Sequence, residues 1–208
     1  MTIPTMSVPA QQEQATFRAL LNAMARPGTV YHLPTPRPDD GIWGGALLVL
    51  QALLDHEVTF HVLSDQALPH DQLLRRTGAR SASLGRADFV LARGGGAVAA
   101  VEEAREGGFE EPERSATVVL VVDSLGGDGV ALTLSGPGIE ATSMLSVGGV
   151  PAAAFESLRR RTITFPEGVD VILVDTADHV AALPRSTRIA MATDSRTSDQ
   201  KNQKKVEA

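Results

Sequence analysis

The first periodic stretch of apolar positions lies between Gln11 and Ala25, where Phe17, Leu20, Leu21 and Met24 recur at i, i+3, i+4 and i+7. That spacing predicts one buried face of an α-helix. Arg26-Pro27-Gly28 closes it, because proline pushes its predecessor out of the helical region and glycine permits the turn. Thr29 to Leu33 alternates like a short strand, and Pro34, Pro36 and Pro38 mark a loop. Ala46 to Leu54 is apolar except for Gln51 and predicts a buried helix, followed by a strand over Val58 to Leu63. A helix over Asp71 to Arg76, a strand over Asp88 to Ala92 and a helix over Val98 to Arg105, opened by Gly94-Gly95-Gly96, complete the first half.

The second half is richer in strands. Thr117 to Val122 is a continuous apolar, β-branched run, the pattern of a strand buried on both faces. Gly126-Gly127-Asp128-Gly129 predicts a turn, and Val130 to Leu134 the returning strand of a hairpin. Ser135-Gly136-Pro137-Gly138 breaks the chain again. A helix follows over Pro151 to Arg160, then strands over Val169 to Val174 and His179 to Leu183. Residues 194–208 are polar and without periodicity, which predicts a disordered tail behind one domain over residues 1–193. No internal repeat is visible. Strands and helices alternate without a strict βαβ rhythm, so the expected fold is α/β, a single domain with a mixed β-sheet flanked by helices.

Composition narrows the chemistry. With 43% apolar but only 4% aromatic residues, the core must be built largely from Ala, Val and Leu. Without cysteine there is no disulfide, no thiolate nucleophile and no zinc–sulfur site. The three lysines, Lys201, Lys204 and Lys205, lie in the last eight residues, behind a body that carries sixteen arginines in all with the tail's Arg196. A body without lysine cannot hold pyridoxal phosphate as a Schiff base or build a P-loop, so no cofactor is expected. Any anion must be met by arginine, histidine or backbone N–H groups. Of the net charge of −6, the tail from Asp194 holds +1 (four bases, three acids), which leaves −7 on the body. A body this acidic is a poor partner for nucleic acid. Met1 to Met6 has neither a basic nor an apolar leader pattern, and no apolar stretch is long enough to span a bilayer. A cytoplasmic protein without membrane contact is expected.

Among candidate side chains, His56 and His61 sit five apart, about 140° around a helix of ~3.6 residues per turn. The stretch also changes from helix to strand there, so no metal site is expected. No G-x-S-x-G elbow exists. Gly94 to Gly96, between a strand and a helix, stands where helix amides bind phosphate, yet a structural turn explains it as well. Arg185 and Arg188 flank Ser186 and Thr187 after an apolar strand, and this loop reads either as a phosphate clamp or as surface arginines paired with acids. Arg26, before Pro-Gly, is a weaker member of the same set. Arg159-Arg160-Arg161 suits the negative end of its helix. No catalytic residue can be named.

Six segments resemble the PhnH family, the H subunit of the bacterial carbon–phosphorus lyase system. They are Phe17 to Gly28, Leu53-Leu54-Asp55, Pro112-Glu113-Arg114-Ser115-Ala116-Thr117, Leu134 to Ile139, Phe165-Pro166-Glu167-Gly168-Val169-Asp170 and Leu183 to Arg188, in the family's order over roughly residues 12–190. The resemblance implies a fold like the pyridoxal phosphate-dependent transferases without the cofactor, and a homodimer within a complex of G, I and J subunits. It also implies a role in phosphonate catabolism. With the G, I and L subunits, the family supports transfer of the ribose triphosphate of ATP to a phosphonate with release of adenine, as an alpha-D-ribose 1-methylphosphonate 5-triphosphate synthase subunit. A scaffold without a ligand site of its own is the alternative.

Overall fold

The computed structural model of the chain describes residues 8–64 and 68–191. Ten strands run in chain order: β1 Tyr31–His32, β2 Thr59–Leu63, β3 Arg80–Ser81, β4 Phe89–Arg93, β5 Thr117–Val122, β6 Ser124–Ser135, β7 Ser143–Gly148, β8 Asp170–Asp175, β9 His179–Leu183 and β10 Arg188–Met191. Five α-helices accompany them: α1 Val8–Ala25, α2 Gly44–Leu53, α3 Leu68–Thr77, α4 Gly96–Glu103 and α5 Ala152–Arg161. Seven strands form one mixed sheet in the order β1-β9-β8-β5-β4-β2-β3, and β10-β6-β7 form a second, antiparallel sheet. From β3 to β8 the large sheet is parallel; β9 and β1 add antiparallel at its edge. The mixed α/β architecture is the one the element pattern predicts.

The apolar run of β5 is explained by two cores. Val118, Leu120 and Val122 face one buried cluster, while Val119 and Val121 face the other, as the period-two geometry of a strand demands. The first cluster is closed by α4, α5 and the small sheet, through residues such as Ala100, Phe155, Leu132 and Leu145. The second is closed by α1, α2 and α3 through Leu20, Leu47 and Leu73, with Trp43. Removing a central side chain such as Leu120, 1% exposed, would cost ~2–5 kcal/mol, because the cavity left behind collapses only in part.

Three expectations are corrected. No hairpin joins Thr117–Val122 to Val130–Leu134, since β5 already has parallel partners on both sides, β4 and β8. Instead Gly126 to Gly129 is a bulge within one long strand, with Leu125 and Val130 both opposite Val147. The strand that β6 does pair with, β7, alternates serine and glycine with Leu145 and Val147 and carries too weak a periodic signal, and the end of the Arg185–Arg188 loop opens a further short strand, β10.

The third correction concerns α1. Its buried face is Thr16, Ala19, Leu20 and Ala23, while Phe17 and Leu21 remain 45% and 55% exposed. Small side chains let the helix lie close against α2 and β9. Thr16 is accommodated because its hydroxyl donates to the Gln12 carbonyl, 2.9 Å away.

Candidate functional site

The Gly136-Pro137-Gly138 turn between β6 and β7 is wedged between two other loops. Gly138 has φ +80°, and a Cβ there would fall 2.2 Å from the Ala25 carbonyl oxygen. A Cβ on Gly136 (φ +129°) would fall 2.9 Å from the carbonyl oxygen of Ser186. Only glycine combines such a backbone conformation with such a close approach. One turn therefore touches both the end of α1, where Arg26 sits, and the Pro184–Arg188 loop.

Next to this junction lies an open groove of about 510 Å³, lined by Pro112, Glu113, Pro137, Phe165, Pro166, Asp170, Pro184, Arg185 and Ser186. Four separate proline-bearing segments meet there. The prolines stiffen the walls, since each fixes its own φ, and Phe165, 61% exposed, offers an apolar contact. The groove stands at the amino-terminal ends of β5 and β8, because Asp170 opens β8 and Pro112 to Ala116 lead into β5.

Arg185 ties the floor together. Its backbone N–H donates to Asp170 Oδ1 at 2.8 Å and its Nη2 to Asp170 Oδ2 at 2.9 Å. Its Nη1 donates to the carbonyls of Pro112 at 2.5 Å and Pro166 at 3.5 Å. The guanidinium is thus compensated by a carboxylate and two carbonyls, and serves to hold three loops in register.

The other arginine-loop residues divide. Arg188 opens β10 opposite Ser135, is exposed, and makes no side-chain hydrogen bond or ion pair among the described residues. Ser186 is half-buried and lines the groove. Thr187 is fully buried, its N–H donates to the Pro184 carbonyl, and its hydroxyl has no partner among the described residues. Arg26 is exposed and touches Asn22 Oδ1 at 3.4 Å. The structure gathers Arg26 and the Arg185–Arg188 loop around one turn, but Arg185 is spent on the protein while Arg26 and Arg188 are open to solvent.

Several arginines elsewhere pair with acids. Arg159 meets Glu156 at 2.6 Å, Arg160 meets Glu102 at 3.2 Å, and Arg161 meets Glu106 at 2.8 Å. Arg161 also donates to the carbonyls of Glu102 and Ala104, and its burial pulls the guanidinium pKa below its ordinary value. Arg160 and Arg161 bind α5 to the end of α4, more than a helix dipole alone requires, while the Arg159–Glu156 pair lies within α5. His61 Nδ1 lies 2.8 Å from the Ala82 carbonyl, and the side chain of His56 is exposed. Among the polar pairs that escaped the sequence reading are Arg76 with the fully buried Asp40, at 2.6 Å and 2.8 Å, and His179 with Asp175, at 2.9 Å. Nothing in local spacing marks the first pair, whose members are far apart in the chain; only the end of the apolar run at Asp175 hinted at the second.

Fold and groove define a mixed α/β protein with an open groove built from proline-stiffened loops around a self-compensated arginine. The segments that line it carry a family signature, and the chain belongs to the PhnH family, the bacterial phosphonate metabolism proteins, whose sequence model matches residues 4–190. It is 41% identical over 182 residues, 86% of this chain and 87% of the relative, to a Stutzerimonas stutzeri protein, HtxG, assigned by its name to a C–P lyase as a subunit. It is also 28% identical over 185 residues, 87% of this chain and 92% of the relative, to the Rhizobium meliloti alpha-D-ribose 1-methylphosphonate 5-triphosphate synthase subunit PhnH.

Proposed function

We propose that this chain is a non-autonomous subunit of a carbon–phosphorus lyase system. It acts, as a cytoplasmic homodimer joined to G, I and J subunits and with L, in transfer of the ribose triphosphate of ATP to methylphosphonate with release of adenine. The observation that carries the reading is the meeting of four of the six family-like segments, and the contact of a fifth through Gly138, at one open groove. Packing of an isolated domain does not require its signature segments to gather at one surface, whereas a shared assembly does. The family's likeness to pyridoxal phosphate-dependent transferases fits a lysine-free body that keeps such a scaffold without the cofactor.

Within this reading Arg185 positions the groove, and Arg26 and Arg188, with Ser186, offer donors to phosphonate or triphosphate oxygens in the assembled complex. The scaffold alternative is favoured by one observation, the commitment of Arg185 to Asp170 and two carbonyls.

Co-expression of the tagged chain with G, I, J and L subunits from its own genome tests the proposal. The expected outcome is a stoichiometric complex that releases adenine from ATP in the presence of methylphosphonate, and a loss of that release when this chain is omitted. Recovery of the chain alone, or unchanged adenine release without it, would refute the subunit reading.

A further inference from the structure

The chain leaves the large sheet in opposite directions at β2 and β4. After β2 it enters α3, whose Leu73 lies in the cluster with Trp43 and Phe60; after β4 it enters α4, whose Ala97, Ala100 and Val101 lie in the opposite cluster. Neighbouring parallel strands whose connections diverge in this way leave a crevice outside their carboxyl ends, where open α/β sheets hold ligands. Here the crevice has a volume of about 560 Å³, walled by Ile42, Trp43 and Ser64 on one side and by Arg93 and Gly94 to Gly96 on the other. Small-molecule sites run from ~300 to ~1,000 Å³. The proline-lined groove stands at the other, amino-terminal edge of the same sheet.

Two features of the crevice have no explanation among the described residues. Arg93 donates through Nη2 to Asp123 Oδ1 at 2.9 Å, while its Nε is buried and finds no acceptor among the described residues. Buried donors are nearly always partnered. Nε and Nη2 form one fork of the guanidinium, a geometry suited to two oxygens of a single group, and Asp123 occupies only one tine. The second feature is Gly95. It has ordinary right-handed backbone angles, φ −61° and ψ −26°, and a Cβ placed on it meets no atom within 4 Å. Among the described residues neither conformation nor packing requires glycine there, whereas a ligand approaching the backbone would.

We propose that this crevice binds a small molecule through a tetrahedral phosphorus oxyanion, a phosphate ester or a phosphonate. Arg93 grips two oxygens in place of Asp123, bare Gly95 gives the group room, and Ile42 and Trp43 face the organic part. A dianion displaces the Asp123 carboxylate better than a monocarboxylate would, because the attraction to the guanidinium scales with charge. Asp123 is exposed and can relax into water as the anion enters. The inference goes beyond the subunit reading and disagrees with its scaffold alternative.

Trp43 is the single tryptophan of the chain, so its emission reports on the crevice. The full-length protein would be titrated with inorganic phosphate, methylphosphonate and ATP at ionic strength held constant with sodium chloride, by fluorescence and by calorimetry. Saturable binding of at least one is expected, and the ratio of methylphosphonate to phosphate affinity names the source of the oxyanion. Arg93→Gln and Gly95→Leu should each weaken binding at least tenfold, and Gly95→Leu should melt no lower than the parent. No saturable binding by either method, for all three anions, would overturn the proposal. So would binding that survives Gly95→Leu in a variant of undiminished stability, since the anion would then lie elsewhere. Co-purification with partner subunits decides the subunit reading independently of either result.

Discussion

Arg185 and Asp170 face each other across the β8–β9 pair, with Nη2 2.9 Å from Oδ2, on side chains only 19% and 17% exposed. The pair is shielded from solvent and further held by the carbonyls of Pro112 and Pro166, so it behaves as a buried contact. Removing one partner of a buried pair leaves the other uncompensated, at a cost of ~3–5 kcal/mol.

Arg185→Ala should therefore lower unfolding free energy by about 3 kcal/mol or more, and Arg185→Lys should recover little, because an ammonium cannot reproduce the fork. Arg188→Ala, on an exposed side chain, should change stability by less than ~0.5 kcal/mol. Urea denaturation of the three variants checks this. It also decides which of them is fit for activity assays in the complex: Arg26→Ala and Arg188→Ala test anion contact, while Arg185→Ala confounds it with folding. Equal stability of Arg185→Ala and parent would show that the tie is dispensable.

Gly138→Ala should be among the most damaging single-methyl changes in the chain. The new Cβ would sit 2.2 Å from the Ala25 carbonyl oxygen on a backbone at φ +80°, so both the turn and the end of α1 must move. Strain at such a residue costs ~1–3 kcal/mol even before the clash. A melting temperature within a degree of the parent would contradict the close approach.

Asp40 is fully buried and accepts two hydrogen bonds from Arg76 at 2.6 Å and 2.8 Å. The Asp40 carboxylate raises the Arg76 pKa above its ordinary value, against the opposing effect of burial. Asp40→Ala should cost ~3–5 kcal/mol, whereas the double change Asp40→Leu with Arg76→Met should cost less than the single one, since no charge is left uncompensated. A double-mutant cycle measures the coupling, and strictly additive effects would disprove it.

Asp88 sets a pH dependence. Burial pushes its carboxyl pKa up, but hydrogen bonds from the Thr59 hydroxyl and N–H and from Arg105 outweigh burial and leave it below the ordinary value. A carboxylate whose folded pKa is depressed adds stability that is complete above its unfolded pKa, near ~4, and that is lost as pH falls through the folded value. The stability difference between the parent and Asp88→Asn should accordingly be constant from pH 6 to 8 and shrink below about pH 4. A difference that does not narrow in acid would rule out this linkage.

Much of the fold was legible because the local signals were strong. The apolar runs at Thr117 to Val122 and Val169 to Val174 are strands buried on both faces, and glycine or proline punctuates most element boundaries as expected. The hairpin failed because Gly126 to Gly129 looks the same as a turn or as a bulge in sequence, and only the occupancy of both edges of β5 decides between them. The face of α1 was misjudged because counting large apolar residues ignores how closely alanine and threonine let two elements approach.

The sequence by itself determined the α/β class, the absence of lysine from all but the last eight residues, and the family. All of these follow from residue identity and local order. Tertiary structure alone decided what each arginine does, because that depends on neighbours distant along the chain: Asp170 and Pro112 immobilise Arg185, while Asp123 leaves half of Arg93's fork unfilled. It also set the proline-lined groove at the amino-terminal edge of the parallel strands apart from the crevice at their carboxyl edge. Strand order and crossover direction fix those edges, and neither is written in any single segment.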